Sequence, residues 1–279
     1  MNLEPLVKKT LAKIKLNKRE KILVALSGGK DSTTTAYLLK KFGYNIEGFH
    51  IYLGMKGYSD RCLEAVKKLC KQLNIRLHLY DIKKEMGGSM CYIRTAIQTE
   101  AKGKGLKNCA ICGVIKKWIM NKKARELKAD KIATGHNLDD EAQTFLINIF
   151  KGSPELSLNT GVISRNVKDK QNRFIPRIKP LFYVPENEIR EYSKKMKLPV
   201  VYEKCPCAID SYRIQVRQFL NTITDKEKEN IVKNSEKILK NIKRKQTPLN
   251  YCELCGEPAR NKVCRMCGMI GVRNKNSCS

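Results

Sequence analysis

Residues 24–32 read VALSGGKDS, and this stretch constrains the fold more than any other. The apolar run at 22–26 has the pattern of a buried strand, and residues 31–41 (DSTTTAYLLKK) that of the helix after it. Two glycines between them let the backbone come close to an anion, and the free N–H groups of the helix start point toward it. Ser27 and Ser32 add hydroxyl donors and Lys30 adds charge. The stretch is not a Walker A loop. Val24 stands where that loop has its first glycine, and Asp31 where a Ser or Thr should follow the lysine. Ala25, Ser27, Gly28, Gly29, Lys30, Asp31 and Ser32 are therefore candidate phosphate-loop residues of another kind.

The same strand-then-helix rhythm continues along the chain. Strands are expected at 46–52, 75–80 and 131–135, with helices at 59–73 (capped by Ser59), 111–127 and 139–151. The last begins with acidic residues, which suits the positive end of a helix. This alternation predicts an α/β fold with a doubly wound parallel sheet. In such sheets ligands sit beyond the carboxyl ends of the strands, so residues 27–32 and 135–140 are expected to face one pocket. From 153 to 183 the pattern loosens into a basic connector with Arg165, Lys168, Lys170, Arg173, Arg177 and Lys179. Helices are expected at 185–195, 211–222 and 226–245. The implied division is a basic N-terminal helix (1–20), a nucleotide domain with its connector (21–183), a helical extension (184–248), a cysteine module (249–270) and a polar tail (271–279). No internal repeat is visible.

Charge narrows the choice of partner. The chain has 56 Lys+Arg against 27 Asp+Glu, a formal net charge of +29, and a surplus of that size attracts a polyanion, nucleic acid first. No apolar run approaches the roughly 20 residues needed to span a bilayer, and the N-terminal segment lacks the apolar core of a secretory signal. A cytoplasmic protein is expected, and its 12 cysteines then argue for metal or sulfur chemistry rather than disulfides.

The cysteines sort by spacing. Cys252, Cys255, Cys264 and Cys267 form two CxxC knuckles, with Gly256 and Gly268 after each pair. Four thiolates so placed suit a closed tetrahedral Zn²⁺, and a zinc ribbon is expected ahead of an iron–sulfur site. A second set is Cys109 and Cys112 (NCAICG) with Cys205 (KCPCA) much later. On spacing alone Cys109 and Cys112 can be a redox pair, half a metal site, or neither.

The motif SGGKDS resembles the PP-loop of the ATP pyrophosphatases, which share an adenine-nucleotide α-hydrolase-type fold. The second motif, TGHNLDDEAQT (134–144), also resembles this superfamily. The resemblance implies cleavage of ATP between the α- and β-phosphates, with pyrophosphate held in the loop and AMP transferred to the substrate. It implies that His50 lies near the adenosine and that Gly135 lets the nucleotide approach. Asp139 and Asp140 can bind Mg²⁺ or orient the substrate.

PP-loop, internal CxxC, later Cys-Pro and terminal ribbon together resemble the tRNA 2-thiouridine synthetases, close to the 2-thiocytidine branch, over nearly the whole chain. That resemblance implies a tRNA thiolase that adenylates a pyrimidine, most readily at uridine C2, and replaces its oxygen with sulfur. Cys109, Cys112 and Cys205 would hold a [4Fe–4S] cluster with one iron open for sulfide. Lys116 and Asp140 would be the catalytic pair. Partners would be tRNA and a sulfur donor, either sulfide or a ubiquitin-like sulfur carrier protein, and such enzymes are often homodimers. The alternatives are a lysidine-type ligase without sulfur chemistry, which leaves the internal cysteines unexplained, and a 2-thiocytidine synthetase. Two features depart from the pattern. Cys207 follows Cys205 by two residues and competes with it as a ligand, and the sequence begins with a basic helix where many relatives have a zinc finger. Cys62 and Cys70 read as core residues, and Cys91 and Cys278 have no assigned function.

Overall fold

The computed structural model describes residues 3–100, 105–164, 169, 171–207, 212–241 and 249–271. The elements run α1 (Leu3–Lys13), β1 (Ile22–Ala25), α2 (Lys30–Lys41), β2 (Ile46–Tyr52), α3 (Tyr58–Leu73), β3 (Leu77–Asp81), α4 (Ile82–Met86), α5 (Met90–Glu100) and α6 (Asn108–Glu126). They continue with β4 (Lys131–Ala133), α7 (Leu138–Phe150), β5 (Arg177–Ile178), α8 (Glu186–Lys195), α9 (Tyr212–Leu220), α10 (Asp225–Asn241), β6 (Asn250–Tyr251), β7 (Pro258–Ala259) and α11 (Arg265–Met269).

The first five strands form a parallel sheet in the order β3-β2-β1-β4-β5. The chain winds outward from β1 through β2 to β3, then returns to place β4 on the other side of β1. That reversal opens a crevice at the carboxyl ends of β1 and β4, where a parallel sheet holds its ligand. The expected doubly wound fold is present. Alternation along β1 sends Leu23 to one face and Ile22 and Val24 to the other. The Leu23 face is covered by Ile111, Ile115 and Ile119 of α6, spaced four apart so that they share one helix side. The opposite face packs Leu38 and Leu39 of α2, Val66 and Leu69 of α3, and Leu3, Val7 and Leu11 of α1. The basic N-terminal helix is therefore part of the core. A third cluster joins Leu138 and Ala142 of α7 to Val216 of α9 and Val232 of α10.

Several expectations need correction. Ser59 does not cap α3. The helix starts at Tyr58, and Asp60 accepts the Gly57 N–H at 2.8 Å, while the Ser59 hydroxyl turns inward and accepts Met55 N–H at 3.0 Å. The connector contains a sheet strand, β5, only two residues long and set between Pro176 and Pro180, too short to show alternation. Helices α4 and α5 also escaped the sequence reading, and the third strand begins at Leu77 rather than 75. The ribbon is not set apart from the main domain, since Cys252, Ala259, Cys264, Met266 and Cys267 join the same core cluster as α6. Buried Glu257 clamps it there, accepting from Asn121 Nδ2 at 2.9 Å and pairing with Arg125. Arg165, Lys168, Lys170, Cys278 and the end of the 226–245 helix beyond Asn241 lie outside the described residues. No helix among the described residues is long and apolar enough to cross a membrane.

Candidate active site

The loop after β1 is closed by its own hydroxyls. Ser32 Oγ accepts the Ser27 N–H at 3.0 Å, donates to Gly29 O at 3.1 Å and lies 3.0 Å from Ser27 Oγ. Gly28 has φ +83, and a Cβ there would stand 2.9 Å from the Cys62 backbone, so both conformation and space require glycine. Gly29 caps α2 and offers no side chain, which leaves the first N–H groups of that helix open toward the crevice. Gly135 has a packing role of its own. A Cβ on it would come within 2.6 Å of Ser32 N, so the turn after β4 lies directly on the phosphate loop.

Charges converge on this crevice from distant parts of the chain. Lys30 is 9% exposed and pairs with Asp31 at 3.0 Å and with Glu186 at 2.6 Å. Burial opposes its charge, but the two carboxylates hold its pKa above the ordinary lysine value. Burial raises Asp31, partly offset by Lys30, and Asn137 Nδ2 donates to its Oδ1 at 3.1 Å. Asp139 is occupied structurally: its carboxylate accepts from Glu186 N at 2.7 Å and from Lys228 at 2.8 Å, tying α7 to α8 and α10. Asp140 accepts the Asn137 N–H in a capping box. Burial raises its pKa, against the pull of Arg213 and Arg217.

Beside Asp140 lies a group of cations. Lys179 pairs with Glu141 at 2.6 Å, Arg213 donates to Gln143 Oε1 at 3.1 Å, and Arg177 donates to the Lys117 carbonyl at 3.3 Å. Lys117 reaches solvent, yet the protein around it and then the charges of Arg177, Arg213, Lys179 and Arg265 lower its pKa. His136 opens to solvent from the same cleft, where desolvation and these cations lower it to about 3. Five cations, with Asp140 and Glu141 the carboxylates beside them, leave a positive surplus that suits an anionic ligand.

A cavity of 140 Å³ runs from the loop toward α6, lined by Ala25, Ser27, His50, Ser59, Lys116 and Cys205 among others. Ser27 of the loop after β1, His50, Lys116 and Cys205 thus share one space. His50 is 3% exposed and donates from Nδ1 to Leu26 O at 2.8 Å. Burial keeps its pKa low, helped by Lys116, so the ring is neutral and Nε2 is an acceptor. That Nε2 is buried without a partner among the described residues, as a group awaiting a ligand N–H would be.

Cys109 and Cys112 sit one turn apart at the start of α6, with Lys116 one turn further on, and Cys205, from the loop before α9, lines the cavity together with Lys116. Three thiolates from two segments are the donor set that an iron–sulfur cluster with one iron left without a protein ligand would take, but among the described residues the set with all sulfurs within 4.8 Å of one another is that of the ribbon. In the ribbon, the sulfurs of Cys252, Cys255, Cys264 and Cys267 lie within 4.8 Å of one another, a spacing that fits one tetrahedral ion. Backbone N–H groups of Cys264 and Cys267 donate to Cys252 Sγ and Cys264 Sγ at 3.2 and 3.4 Å, as around metal thiolates. Glu186, Arg213, Arg217, Tyr58 and Ser59 reach the site unannounced by any motif, and Asn137, although inside the 134–144 motif, was not among the expected site residues. Only folding brings them there.

The family profile of the PP-loop domain matches residues 2–223. A tRNA-5-methyluridine(54) 2-sulfurtransferase from Pyrococcus horikoshii is 37% identical over 96% of this chain and 84% of its own. The tRNA 2-thiolation protein NcsA of Haloferax volcanii is 33% identical, over 89% of this chain and 81% of its own. The solved structure of the U34-tRNA thiolase NcsA from Methanococcus maripaludis, with its [4Fe-4S] cluster, superimposes with a TM-score of 0.79 at 28% identity, covering 96% of this chain and 86% of that one. With the loop, the crevice and the two cysteine sets in place, this chain belongs to the PP-loop ATP pyrophosphatases, in the branch of the tRNA 2-thiolation sulfurtransferases.

Proposed function

We propose that this protein uses ATP to replace the C2 oxygen of a tRNA uridine with sulfur. The observation that carries the reading is the single cavity shared by Ser27, His50, Lys116 and Cys205. Ser27, Ser32 and the N-terminus of α2 bind the β- and γ-phosphates, with Mg²⁺ offsetting their charge. Neutral His50 accepts a hydrogen bond from the nucleotide. The uridine O2 attacks the α-phosphate and pyrophosphate leaves, which turns a poor leaving oxygen into an adenylate. Lys116 steadies the charge that develops, and Asp140, its pKa raised, holds or moves a proton. Sulfide then adds at C2 and AMP departs. A [4Fe–4S] cluster held by Cys109, Cys112 and Cys205 would supply an open iron for sulfide. Zn²⁺ in the ribbon would hold α11 and its Arg265 against α6. The cations around Lys117 would meet the tRNA backbone, and the reducing cytoplasm would keep the thiols free.

The test is metal content and tRNA thiolation in protein prepared without oxygen. About four irons, four sulfides and one zinc per chain are expected, with iron lost in Cys109→Ala. Mass spectrometry of the tRNA is expected to find 2-thiouridine, and mapping both position 54 and position 34 decides between the two targets named among the relatives. Zinc without iron, even after anaerobic reconstitution, would overturn the cluster assignment. ATP consumption with no thiolated base would overturn the reaction.

A further inference from the structure

Asn121 is an amide buried inside α6, 6% exposed, between the fully buried Ile119 and Ala124. Burying an amide costs free energy unless its groups are bonded, and these bond two segments from far along the chain. Asn121 Nδ2 donates to Arg173 O and to Glu257 Oε2, both at 2.9 Å, and Oδ1 accepts the Ile175 N–H at 3.1 Å. One side chain thus joins α6, the run that leads into β5, and the cysteine ribbon. The ribbon grips the same run from its own side. Arg173 Nη1 donates to Gly256 O at 2.7 Å, and its guanidinium lies 5.6 Å from the centre of the Tyr251 ring. Tyr251 donates to Asp169, which also accepts the Phe174 N–H at 2.5 Å. Side chains of α6 and the connector therefore hold the main chain of 173–175. Two residues on, Arg177 lies over Phe174, 5.9 Å from the ring centre, and donates to the Lys117 carbonyl at 3.3 Å. Its Nε is buried without a partner among the described residues.

We propose that Asn121 and Glu257 are positioning residues that tie the ribbon to the anion cleft, so that the folded ribbon sets where Arg177 meets an RNA phosphate. Glu257 is 3% exposed and lies between the two CxxC pairs, where its carbonyl accepts the Cys252 N–H at 2.9 Å. Its carboxylate also pairs with Arg125, so the ribbon and α6 fix it together. A carboxylate of this kind only accepts, so the Asn121 amide must turn Nδ2 toward it, which leaves Oδ1 for the Ile175 N–H. Without Glu257 in place the amide is free to turn, and Arg173 O and Ile175 N lose their partner. Pro176 stands between Ile175 and Arg177. Its ring fixes one backbone angle and restricts the residue before it, so a shift at Ile175 passes on to Arg177 rather than being absorbed. ATP is held by residues 27–32, away from this link. The inference rests on the reading that the cations around Lys117 meet the tRNA backbone, and it adds what places one of them.

The test uses the full chain and an unmodified tRNA transcript, with filter binding from about 50 to 200 mM salt. Zinc content and calorimetric ATP affinity are measured beside it. Arg177→Gln is the reference for one lost phosphate contact and is expected to lower the slope of log K against log salt by about 1. Asn121→Ala should lower the slope by about as much, with wild-type zinc content and unchanged ATP affinity. Combining Asn121→Ala with Arg177→Gln should lower it no further, because the first change has already displaced Arg177. Glu257→Gln keeps the shape of the side chain and should act in the same direction, which covers the case of Asn121→Ala failing to fold. An unchanged slope in both Asn121→Ala and Glu257→Gln overturns the coupling. So does an additive loss in the double variant, or a loss of ATP affinity equal to the loss of tRNA affinity. A slope that Arg177→Gln leaves unchanged is the separate failure of the underlying reading, since Arg177 then meets no RNA.

Discussion

Lys30 of the phosphate loop and Glu186 at the start of α8 meet at 2.6 Å across 156 residues of sequence. The other Glu186 oxygen is taken by Arg217 of α9. One carboxylate therefore sets where the loop lysine stands before any phosphate arrives. Glu186→Gln leaves Lys30 with Asp31 alone and Arg217 without its ionic partner. The variant is expected to be less stable by about 1–3 kcal/mol, read as a lower midpoint in urea with an unchanged slope. An unchanged midpoint would mean that the pair is too well solvated to matter.

Gly135→Ala should damage the loop without touching a loop residue. The new methyl would press on Ser32 N and the carbonyl carbon of Asp31, at 2.6 and 2.7 Å, and neither backbone can move cheaply. A stability loss of about 1–3 kcal/mol is expected, together with weaker ATP binding by calorimetry. Normal ATP affinity would show that the turn after β4 yields instead.

Asp140→Asn should separate stability from chemistry. Burial raises the folded-state pKa of Asp140, so its ionised form is disfavoured in the fold relative to the unfolded chain. That penalty is present above the raised pKa and disappears as pH falls through it. The neutral variant is thus expected to be more stable than wild type at pH 7, with the gain shrinking in acid, while thiolation is lost. Denaturant curves from pH 7 down to pH 4 give the sign. Equal destabilisation at every pH would show that the capping contact outweighs the buried charge.

Replacing Lys117 and Arg213 together by Gln should weaken tRNA binding most at low salt. Each phosphate contact removed lowers the slope of log K against log salt by about 1. Filter binding from 50 to 200 mM salt measures it. ATP binding that weakens while the tRNA slope stays the same would assign these cations to the triphosphate instead.

If the ribbon cysteines hold Zn²⁺ as proposed, chelation should lower the melting temperature of the whole chain, because Cys252, Cys264 and Cys267 share a core with Ile111, Ile115 and Ile119. A single unfolding transition moving down by circular dichroism is the expected result. A separate small transition, with the main one unmoved, would mean that the ribbon unfolds independently.

Local chemistry made much of this protein legible. The glycines and hydroxyls of residues 27–32 state their purpose within one turn, because a strand-to-helix loop that binds phosphate must carry them itself. The CxxC pairs do the same, since two sulfurs at that spacing share one ligand geometry wherever the chain leads. The first four strands along the chain were legible as apolar runs, whereas their order in the sheet was not, and β5, with two residues, is too short to make such a run. The rest depended on distance in space. Asp139 and Asp140 are neighbours in one motif, yet the fold spends the first on Glu186 and Lys228 and leaves the second facing Arg213. Ser59 looked like a cap and is a buried acceptor, because Asp60 reaches the Gly57 N–H first. Glu186 beside Lys30, Cys207 beside Cys91 and Glu257 beneath α6 are pairings that no local pattern encodes. Sequence by itself determined which groups can bind phosphate, metal and sulfur, because those abilities belong to single residues and short spacings. Only the tertiary structure decided which groups meet, because burial and charge pairing act between segments that the chain keeps far apart.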